Sequence, residues 1–262
     1  MDIYPNHTLS TIRGGGVALG FGVSALRSIV APGLARSAGY DWLVIDAEHG
    51  TISLDDISQL CTAALPLGIT PIVRVNFSAL DEASRVLDSG AQGIIIPSVE
   101  SRAQAEAIVA ALRYPPLGHR NWGGMSPQFG FRPPPLLDAV LATERETLLI
   151  AMIESAEGVR QVREIAAVEG IDALFVGASD LSLNLEAPGE FGSPVILEAI
   201  DAVIEACTES TKVFGFGGVY DREWAGTYIE RGARLVAAGS DQVFMMSGAL
   251  ERAAYLRSLV EN

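Results

Sequence analysis

Lysine is nearly absent from this chain. Lys212 is the only lysine among 262 residues, and it lies at the start of a predicted strand, away from that strand's carboxyl end. Enzymes that form an imine need a desolvated lysine inside the active site. We therefore expect no Schiff-base chemistry, and any carbanion formed here would have to be stabilised by a metal ion.

Basic residues, cysteines and long apolar runs are also scarce. The chain has 18 Lys and Arg against 32 Asp and Glu, a formal net charge of −14, which disfavours nucleic acids and anionic membranes as partners. A small anionic substrate could still bind at a local arginine.

Cys61 and Cys207 are too few and too far apart for a zinc knuckle, so we expect reduced core residues. No apolar run approaches the ~20 residues of a membrane span, and no secretory leader pattern opens the sequence. We expect a soluble, cytoplasmic protein.

Eight short apolar runs alternate with segments of helical periodicity. With 49% hydrophobic residues the chain can bury one large core, and a closed barrel accounts for eight βα units better than two doubly wound sheets do. We predict an α/β fold, a (β/α)8 TIM barrel with one catalytic domain at 17–262, after an N-terminal lead-in at 1–16. The eight runs are Val17–Val23, Trp42–Glu48, Pro71–Asn76, Gly93–Glu100, Thr147–Ser155, Ile171–Asp180, Lys212–Gly218 and Arg234–Gln242.

The connections between these runs carry two further signals. Four helix-to-strand joints place a glycine just after a helix, which predicts left-handed C-terminal caps at Gly39, Gly90, Gly170 and Gly232. The exception to short connections is Tyr114–Pro135, which is rich in proline, glycine and aromatic residues. It should lie at the N-terminal face of the barrel, in a packing or subunit-contact role or in a functional one.

Polar residues follow the carboxyl ends of most predicted strands, which meet at one mouth in a parallel barrel. Acidic groups dominate, and one arginine lies among them. These residues are Asp46, Glu48, His49, Arg74, Asn76, Glu100, Glu154, Ser179, Asp180 and Asp241.

Glu154 and Asp180 end consecutive strands, which lie roughly 4.8 Å apart in a sheet. Two carboxylates at that separation must share a proton or bind a cation. Oxygen ligands completed by water suit Mg²⁺, Mn²⁺ or a similar octahedral ion and leave positions for a chelating substrate. The alternative is that both residues cap the helices that follow.

Arg74 and His49 are the other candidates for chemistry. Arg74 interrupts the apolar run of the third strand, so it either pairs with a mouth carboxylate or polarises a carbonyl and holds an enolate. His49 directly follows the second strand, where its imidazole could act as the base, although it could equally be an ordinary residue at a helix start.

Taken in order, the motifs of this chain resemble those of the HpcH/HpaI aldolase family over nearly the whole length. The resemblance is closest to the metal-dependent (class II) pyruvate aldolases that cleave 4-hydroxy-2-oxo acids such as 4-hydroxy-2-oxoheptanedioate. The motifs are Asp46-Ala-Glu-His49, Arg74, Arg113-Tyr-Pro-Pro-Leu-Gly-His-Arg120, Ile153-Glu154 and the segment from Val168 to Leu181.

The resemblance implies a role for each site residue. His49 would be the base, Arg74 the carbonyl and enolate stabiliser, and Glu154 and Asp180 the ligands of a divalent ion (Mg²⁺, Mn²⁺ or Co²⁺). Asp88 matches an aspartate that raises the basicity of the histidine. Because Asp88 ends a helix, it should point toward the opposite barrel face from its own His49. We therefore expect Asp88 to pair with the histidine of another subunit, in the hexamer typical of the family. The residues implied to bind the keto acid are Arg74, Met152, Gly177, Ala178, Ser179 and Asp180.

Three departures from the family pattern affect the expected substrate. Met152 replaces a glutamine, Gly217 replaces a leucine, and Asn121-Trp122-Gly123 replaces Gly-Val-Gly. A smaller Gly217 and an aromatic Trp122 would suit a different aldehyde, or hydroxypyruvate in place of pyruvate as donor.

The sequence thus predicts reversible aldol cleavage of a 4-hydroxy-2-oxo acid to a 2-oxo acid and an aldehyde. Oxaloacetate decarboxylation and lysis of a malyl-type coenzyme A thioester are alternatives on the same barrel, although the second expects a basic track for the coenzyme phosphates that this acidic chain lacks. A catalytically silent barrel that binds a keto acid is the alternative outside enzymes.

Overall fold

Eight parallel strands close into a barrel in the order of the sequence, in a computed structural model that describes residues 3–260. Each strand pairs with the next, and β8 pairs with β1. The predicted single-domain (β/α)8 barrel is confirmed. The strands are β1 (Ala18–Val23), β2 (Trp42–Asp46), β3 (Thr70–Arg74), β4 (Gly93–Ile96), β5 (Leu148–Ile153), β6 (Ala173–Gly177), β7 (Val213–Gly217) and β8 (Leu235–Ser240).

Helices follow the strands around the outside of the barrel, and short 3-10 turns occur at Leu65–Leu67, Phe77–Ala79 and Pro127–Phe129. The α-helices are α1 (His7–Arg13), α2 (Ala31–Ser37), α3 (Leu54–Ala64), α4 (Leu80–Asp88), α5 (Arg102–Leu112), α6 (Leu136–Glu146), α7 (Ala156–Arg160), α8 (Val162–Ala166), α9 (Ala178–Asn184), α10 (Pro194–Glu209), α11 (Arg222–Glu230) and α12 (Asp241–Ser258).

The strands are buried on both faces because successive side chains enter two separate hydrophobic clusters. Trp42, Ile72 and Phe175 pack inside the barrel, where the rings of Trp42 and Phe175 meet edge to face with their centroids 6.4 Å apart. Their neighbours, such as Leu43 and Val73, pack outward against the helices. This two-sided burial explains why the runs read as continuously apolar.

Helix α1 covers the N-terminal end of the barrel. Asn6 caps this helix by accepting a hydrogen bond from the backbone N–H of Leu9, and its amide donates to the carbonyls of Gln92 and Glu146. Leu9 joins the cluster inside the barrel. The predicted lead-in therefore contains a helix that closes the barrel; Met1 and Asp2 lie outside the described residues.

Three of the four predicted glycine caps are confirmed. Gly39, Gly90 and Gly232 directly follow the C-cap residues of α2, α4 and α11, with φ angles of +91°, +114° and +116°. Residues with a β-carbon rarely adopt this left-handed backbone, so glycine lets these helices end and the chain turn into the next strand. Gly170 has a φ of +97°, but it lies in a turn four residues after the end of α8, whose C-cap is Ala167.

The long connection Tyr114–Pro135 lies at the N-terminal face, as predicted. Phe129 is buried there with Ile3 and Ala139, and the Gln128 amide donates to the carbonyls of Leu87 and Ala91. These contacts tie the connection to the end of α4. Within this chain it packs against the barrel bottom and does not reach the mouth.

Arg113, which begins the motif before this connection, is also structural in this chain. Its guanidinium is buried and donates to the Gly170 carbonyl and to the carboxylates of Glu144 and Asp172, at 3.0 and 2.6 Å. The motif therefore joins α5, α6 and the start of β6.

The predicted burial of the two cysteines and the predicted position of the single lysine are also confirmed. Cys61 and Cys207 are free and buried, and burial raises the pKa of the Cys207 thiol to about 12. The Lys212 ammonium donates to the carbonyls of Val168 and Ile171 at the N-terminal side of the barrel. None of the helices within residues 3–260 is long and apolar enough to cross a lipid bilayer.

Helix α12 differs from the other helices because almost none of its side chains are buried against the barrel. Of its 18 residues only Asp241 is buried, and Phe244 near its start contacts the rings of Phe21 and Tyr40. Leu19 on β1 remains 36% exposed beside it. The exposed apolar side chains of α12 are Val243, Phe244, Met245, Met246, Leu250, Tyr255 and Leu256.

Replacing two glycines by alanine, one inside α11 and one just after it, should change the stability of the protein in opposite directions. Gly232→Ala forces a β-carbon into the +116° conformation and should cost about 1–2 kcal/mol of unfolding free energy. Gly226→Ala lies within the helix with no atom in the way and should stabilise it by about 0.5–1 kcal/mol. Urea unfolding of both variants measures the difference; equal midpoints would contradict the cap assignment.

Candidate active site

The carboxyl ends of the strands surround a cavity of about 290 Å³. Its floor is apolar, with Val44, Ile95, Met152 and Phe175, and its rim is polar. Most of the residues predicted to carry the chemistry line this cavity. They are Asp46, His49, Arg74, Met152, Gly177, Ala178, Ser179 and Asp180.

Arg74 is held by two carboxylates. Asp46 and Arg74 are directly paired at the ends of β2 and β3, and the guanidinium donates from Nε at 3.0 Å and from Nη2 at 2.6 Å to the two oxygens of Asp46. A Glu48 oxygen lies 3.4 Å from Nε. The Arg74 side chain is 16% exposed and lines the cavity. Both interpretations of the sequence are thus compatible, because the salt bridge fixes an arginine that faces the cavity.

Asp46 organises this rim. Burial alone would raise the pKa of its carboxyl, but the hydrogen bonds and charge of Arg74 more than offset burial, so the pKa lies below its usual value. The same carboxylate accepts from the backbone N–H groups of Glu48 and His49, at 3.1 and 3.3 Å. It therefore fixes the arginine and the turn that carries the histidine together.

His49 projects from this turn at the edge of the cavity. Its side chain is 65% exposed, and Nε2 lies 3.7 Å from a Glu48 oxygen. An imidazole in this position is open to solvent and to a substrate in the cavity, as a base requires.

Glu154 and Asp180 come together beside Gly177. The buried Glu154 carboxylate accepts a 2.6 Å hydrogen bond from the Ser98 hydroxyl. Burial, and then the negative charges of Asp180 and Glu48, raise the pKa of Glu154 despite that hydrogen bond and the charge of Arg74. A β-carbon on Gly177 would lie 2.7 Å from a Glu154 oxygen, so glycine is needed here for the carboxylate to fit.

This pair has the donor chemistry of a divalent-cation site. Within residues 3–260 no group of three or more His, Cys, Asp or Glu side chains forms a metal site by itself. Two carboxylate ligands, with water and substrate completing the shell, suit Mg²⁺ and similar ions. Burial and the nearby negative charges, which together raise the pKa of Glu154, both disfavour its ionised form, and a bound cation would offset them.

The positions of the family departures divide between the two ends of the barrel. Met152 and Gly217 line the cavity, and a β-carbon on Gly217 would lie 3.1 Å from both Ala237 and Phe175. Trp122 instead packs against Tyr114 and Phe129 at the N-terminal face. The expectation that Trp122 shapes the aldehyde pocket is therefore not met within one chain.

Asp88 also lies away from the cavity, at the end of α4. Its carboxylate accepts from Arg120 at 2.7 Å, and the Arg120 guanidinium stacks over the Tyr114 ring. A β-carbon on Gly123 would lie 2.4 Å from the Asp88 carboxyl carbon. In its own chain Asp88 thus holds the long connection.

Three other polar residues predicted at the mouth form hydrogen bonds to other groups of the protein. Glu100 accepts from the Ser155 hydroxyl, and the Asn76 amide oxygen accepts from the Ser78 backbone N–H. Asp241 accepts from the backbone N–H groups of residues 24–26 and 242. Sequence reasoning missed Ser98, Ser24 and Tyr220; Ser98 has a φ of +53°, which an isolated serine in an apolar run does not reveal.

Comparison with known proteins places this site in a family. The model of the HpcH/HpaI aldolase/citrate lyase family matches residues 30–247. The chain belongs to this family. Across 265 residues it is 36% identical to the 4-hydroxy-4-methyl-2-oxoglutarate aldolase tasA of Hapsidospora irregularis, covering 99% of this chain and 97% of that protein. It is 33% identical to the 2-keto-3-deoxy-L-rhamnonate aldolase of Salmonella schwarzengrund, covering 95% and 92%.

A solved HpcH/HpaI aldolase from Desulfitobacterium hafniense has the same fold, with a TM-score of 0.88, 27% identity and coverage of 95% and 96%. Family membership confirms the prediction of an enzyme, an aldolase-type lyase. The HpcH/HpaI assignment made from the motif order is confirmed as well.

Asp46→Asn tests the anchoring of Arg74. The variant loses the balancing charge and one acceptor, and hydrogen bonds to charged groups contribute about 1.5–3 kcal/mol, so kcat for carbon–carbon cleavage should fall about 10- to 100-fold. The matched control is Asp201→Asn, which breaks an exposed pair with Arg231. Circular dichroism should show both variants folded; equal activity in the two would contradict the role given to Asp46.

Proposed function

We propose that this HpcH/HpaI family member is a divalent-metal-dependent aldolase that reversibly cleaves 4-hydroxy-2-oxo acids to pyruvate, or a related 2-oxo acid, and an aldehyde. One observation carries the proposal: a fixed arginine and Asp180 line one cavity, the buried Glu154 carboxylate lies against the lining residue Gly177, and the single lysine lies at the other end of the barrel. The names of the two curated relatives both describe aldolases acting on 2-oxo acids.

Glu154 and Asp180 would hold the ion, with Mg²⁺, Mn²⁺ or Co²⁺ as candidates. When bound, the ion would withdraw electron density from the carbonyl of the 2-oxo acid and stabilise the enolate. Ser98 orients the Glu154 carboxylate through its hydroxyl. The chain's own contribution is thus a preformed pair of ligands whose repulsion favours cation binding.

Arg74 would bind the carbonyl oxygen of the same substrate. A guanidinium keeps its charge and offers several donors, and the two carboxylates that hold Arg74 fix its direction before the substrate arrives. As the carbon–carbon bond breaks, its electron pair moves into the 2-oxo acid half, and negative charge grows on the oxygen that Arg74 faces.

His49 would remove the proton from the hydroxyl group of the substrate. Loss of this proton lets the hydroxyl carbon become the aldehyde carbonyl while the neighbouring bond breaks. The enolate then gains a proton at carbon to give the 2-oxo acid. Glu48, 3.7 Å from Nε2, would stabilise the protonated imidazole between these two steps.

The 2-oxo acid carboxylate would lie against the start of α9. Gly177, Ala178 and Ser179 line the cavity there, and backbone N–H groups at a helix start favour an anion. Met152 would contact the donor from below. Gly217 lines the cavity without a side chain, which supports hydroxypyruvate as a further donor.

We also propose that the protein is a homo-oligomer. Helix α12 exposes seven apolar side chains, and Leu19 on the adjacent strand is uncovered, so a second copy of the chain would bury both surfaces. The hexamer expected from the family, and the pairing of Asp88 with a neighbour's His49, are finer proposals. Asp88 supports the second because its carboxylate is partly exposed on the face opposite its own mouth.

The two buried, free thiols fit a reducing compartment, and they support a cytoplasmic location.

Exchange of the pyruvate methyl protons in D₂O, followed by NMR, tests enolisation before any aldehyde is known. We expect exchange with added Mg²⁺ or Mn²⁺, none in excess chelator, and recovery when the metal is restored. Glu154→Gln should lose at least about 100-fold, as expected when a charged ligand is removed. The His49→Ala variant should lose the ability to cleave a 4-hydroxy-2-oxo acid. Repeating the exchange measurement with hydroxypyruvate compares the two 2-oxo acids as donors.

The matched control is Glu100→Gln, since Glu100 follows β4 at the same rim, contacts neither Arg74 nor Glu154, and can still accept from Ser155 as a glutamine. It should exchange at close to the unaltered rate. Exchange that persists in excess chelator, or that survives in Glu154→Gln, would refute the metal-dependent mechanism.

The oligomer is tested by measuring molar mass with light scattering. A double variant, Leu250→Lys with Leu256→Lys, places two charges on the exposed face of α12 and should lower the mass toward that of the 27.7 kDa monomer. Leu67→Lys, an exposed leucine far from α12, should leave the mass unchanged. A monomeric unaltered protein would rule the proposal out.

A further inference from the structure

Arg27 projects from a fixed segment at the mouth of the barrel. The segment between β1 and α2 is held by the Asp241 carboxylate, which accepts from the backbone N–H groups of Ala25 and Leu26 at 2.9 and 2.7 Å. Asp241 is 3% exposed. Because Arg27 follows this segment directly, its backbone position is set by a buried interaction.

Arg27 lines a second cavity that continues from the active site. This cavity shares Ser24, Asp46 and His49 with the first one, and Arg27 and Thr51 lie on its other side. The Arg27 guanidinium donates to the Thr51 hydroxyl. His49 therefore stands between the two cavities, with Arg74 on one side and Arg27 on the other.

The charges of the two arginines are balanced differently. Arg74 contacts the carboxylates of Asp46 and Glu48. Arg27 forms no ion pair within 4.0 Å among residues 3–260, and its effect on a carboxylate is a weak through-space one on Asp56. Its hydroxyl partner leaves the positive charge available to an anion.

The position of His49 relates this cation to the reaction. In the function proposed above, His49 removes the proton of the substrate hydroxyl, so the bond that breaks lies beside it. The 2-oxo acid half would then occupy the cavity of Arg74, and the substituent on the hydroxyl carbon would extend past His49 into the cavity of Arg27. A guanidinium binds a carboxylate with two parallel hydrogen bonds.

We propose that Arg27 determines specificity by binding a carboxylate on the aldehyde or ketone half of the substrate. The substrates would then be 4-hydroxy-2-oxo acids with a second carboxylate, and the acceptors in the reverse reaction would be oxo acids. This inference rests on the proposed aldolase function but concerns the other half of the substrate.

Matched acceptors test the proposal in the direction of synthesis from pyruvate. Glyoxylate and succinic semialdehyde carry a carboxylate at two distances, and their primary amides are neutral controls of similar size. The measured quantity is the ratio of kcat/KM for each acid to that for its amide. Arg27→Gln should lower this ratio about tenfold for at least one pair, mainly through KM, and Arg27→Lys should give an intermediate value.

Arg163→Gln removes the same charge from a surface pair with Glu205 and Glu209 and should leave the ratio unchanged. An equal loss with acids and amides in Arg27→Gln would assign Arg27 a purely structural role, and an unchanged ratio for both pairs would also overturn the proposal. Failure of the aldolase function has a different signature, since the unaltered protein would then show no metal-dependent exchange of pyruvate protons.

Discussion

The ion pair between Asp46 and Arg74 fixes the geometry on which the rest of the mouth depends. The register of β2 and β3 places these residues opposite each other at the last pair of both strands, so closure of the barrel itself creates the contact. Asp46 then anchors the turn that carries His49. The arginine that lines the cavity and the candidate base are thus both positioned by one carboxylate.

The carboxylates at the mouth of the barrel have three different roles, and the groups that each one contacts determine its role. Asp46 and Glu48 balance the charge of Arg74. Neither Glu154 nor Asp180 forms an ion pair within residues 3–260, and burial, followed by the negative charges of Asp180 and Glu48, raises the pKa of Glu154. Asp241 is surrounded by backbone N–H groups. A strongly acidic chain can therefore maintain a site for anionic substrates, because Arg74 or backbone N–H groups balance three of its mouth carboxylates, Asp46, Glu48 and Asp241.

The fold could be predicted from the sequence because its signals are local. Each strand is buried on both faces and reads as an apolar run, and each glycine cap lies between a helix and a strand, as at Gly90 and Gly232. The mouth residues could be collected because parallel strands bring their carboxyl ends together. These signals need no knowledge of which side chains touch.

The partners of those residues could not be predicted, because they depend on contacts between distant segments. The sequence left open whether Arg74 pairs with a carboxylate or faces a substrate, and in the structure the arginine that pairs with Asp46 also lines the cavity. Asp241 was grouped with the mouth acids, although it binds the first loop of the barrel. Ser98 gave no signal at all, since its hydrogen bond to Glu154 spans 56 residues.

The contact between Asp241 and the loop after β1 also affects the order in which parts of the barrel mouth can fold during synthesis. Asp241 lies 217 residues after Ser24, at the start of the last helix. A chain made from its N-terminus onward forms β1 early, but the backbone N–H groups of the loop that follows β1 lack their Asp241 partner until the final segment has left the ribosome. The first loop of the barrel is thus among the last parts of the mouth to become ordered, and a chain that stopped after β8 would retain every strand without it.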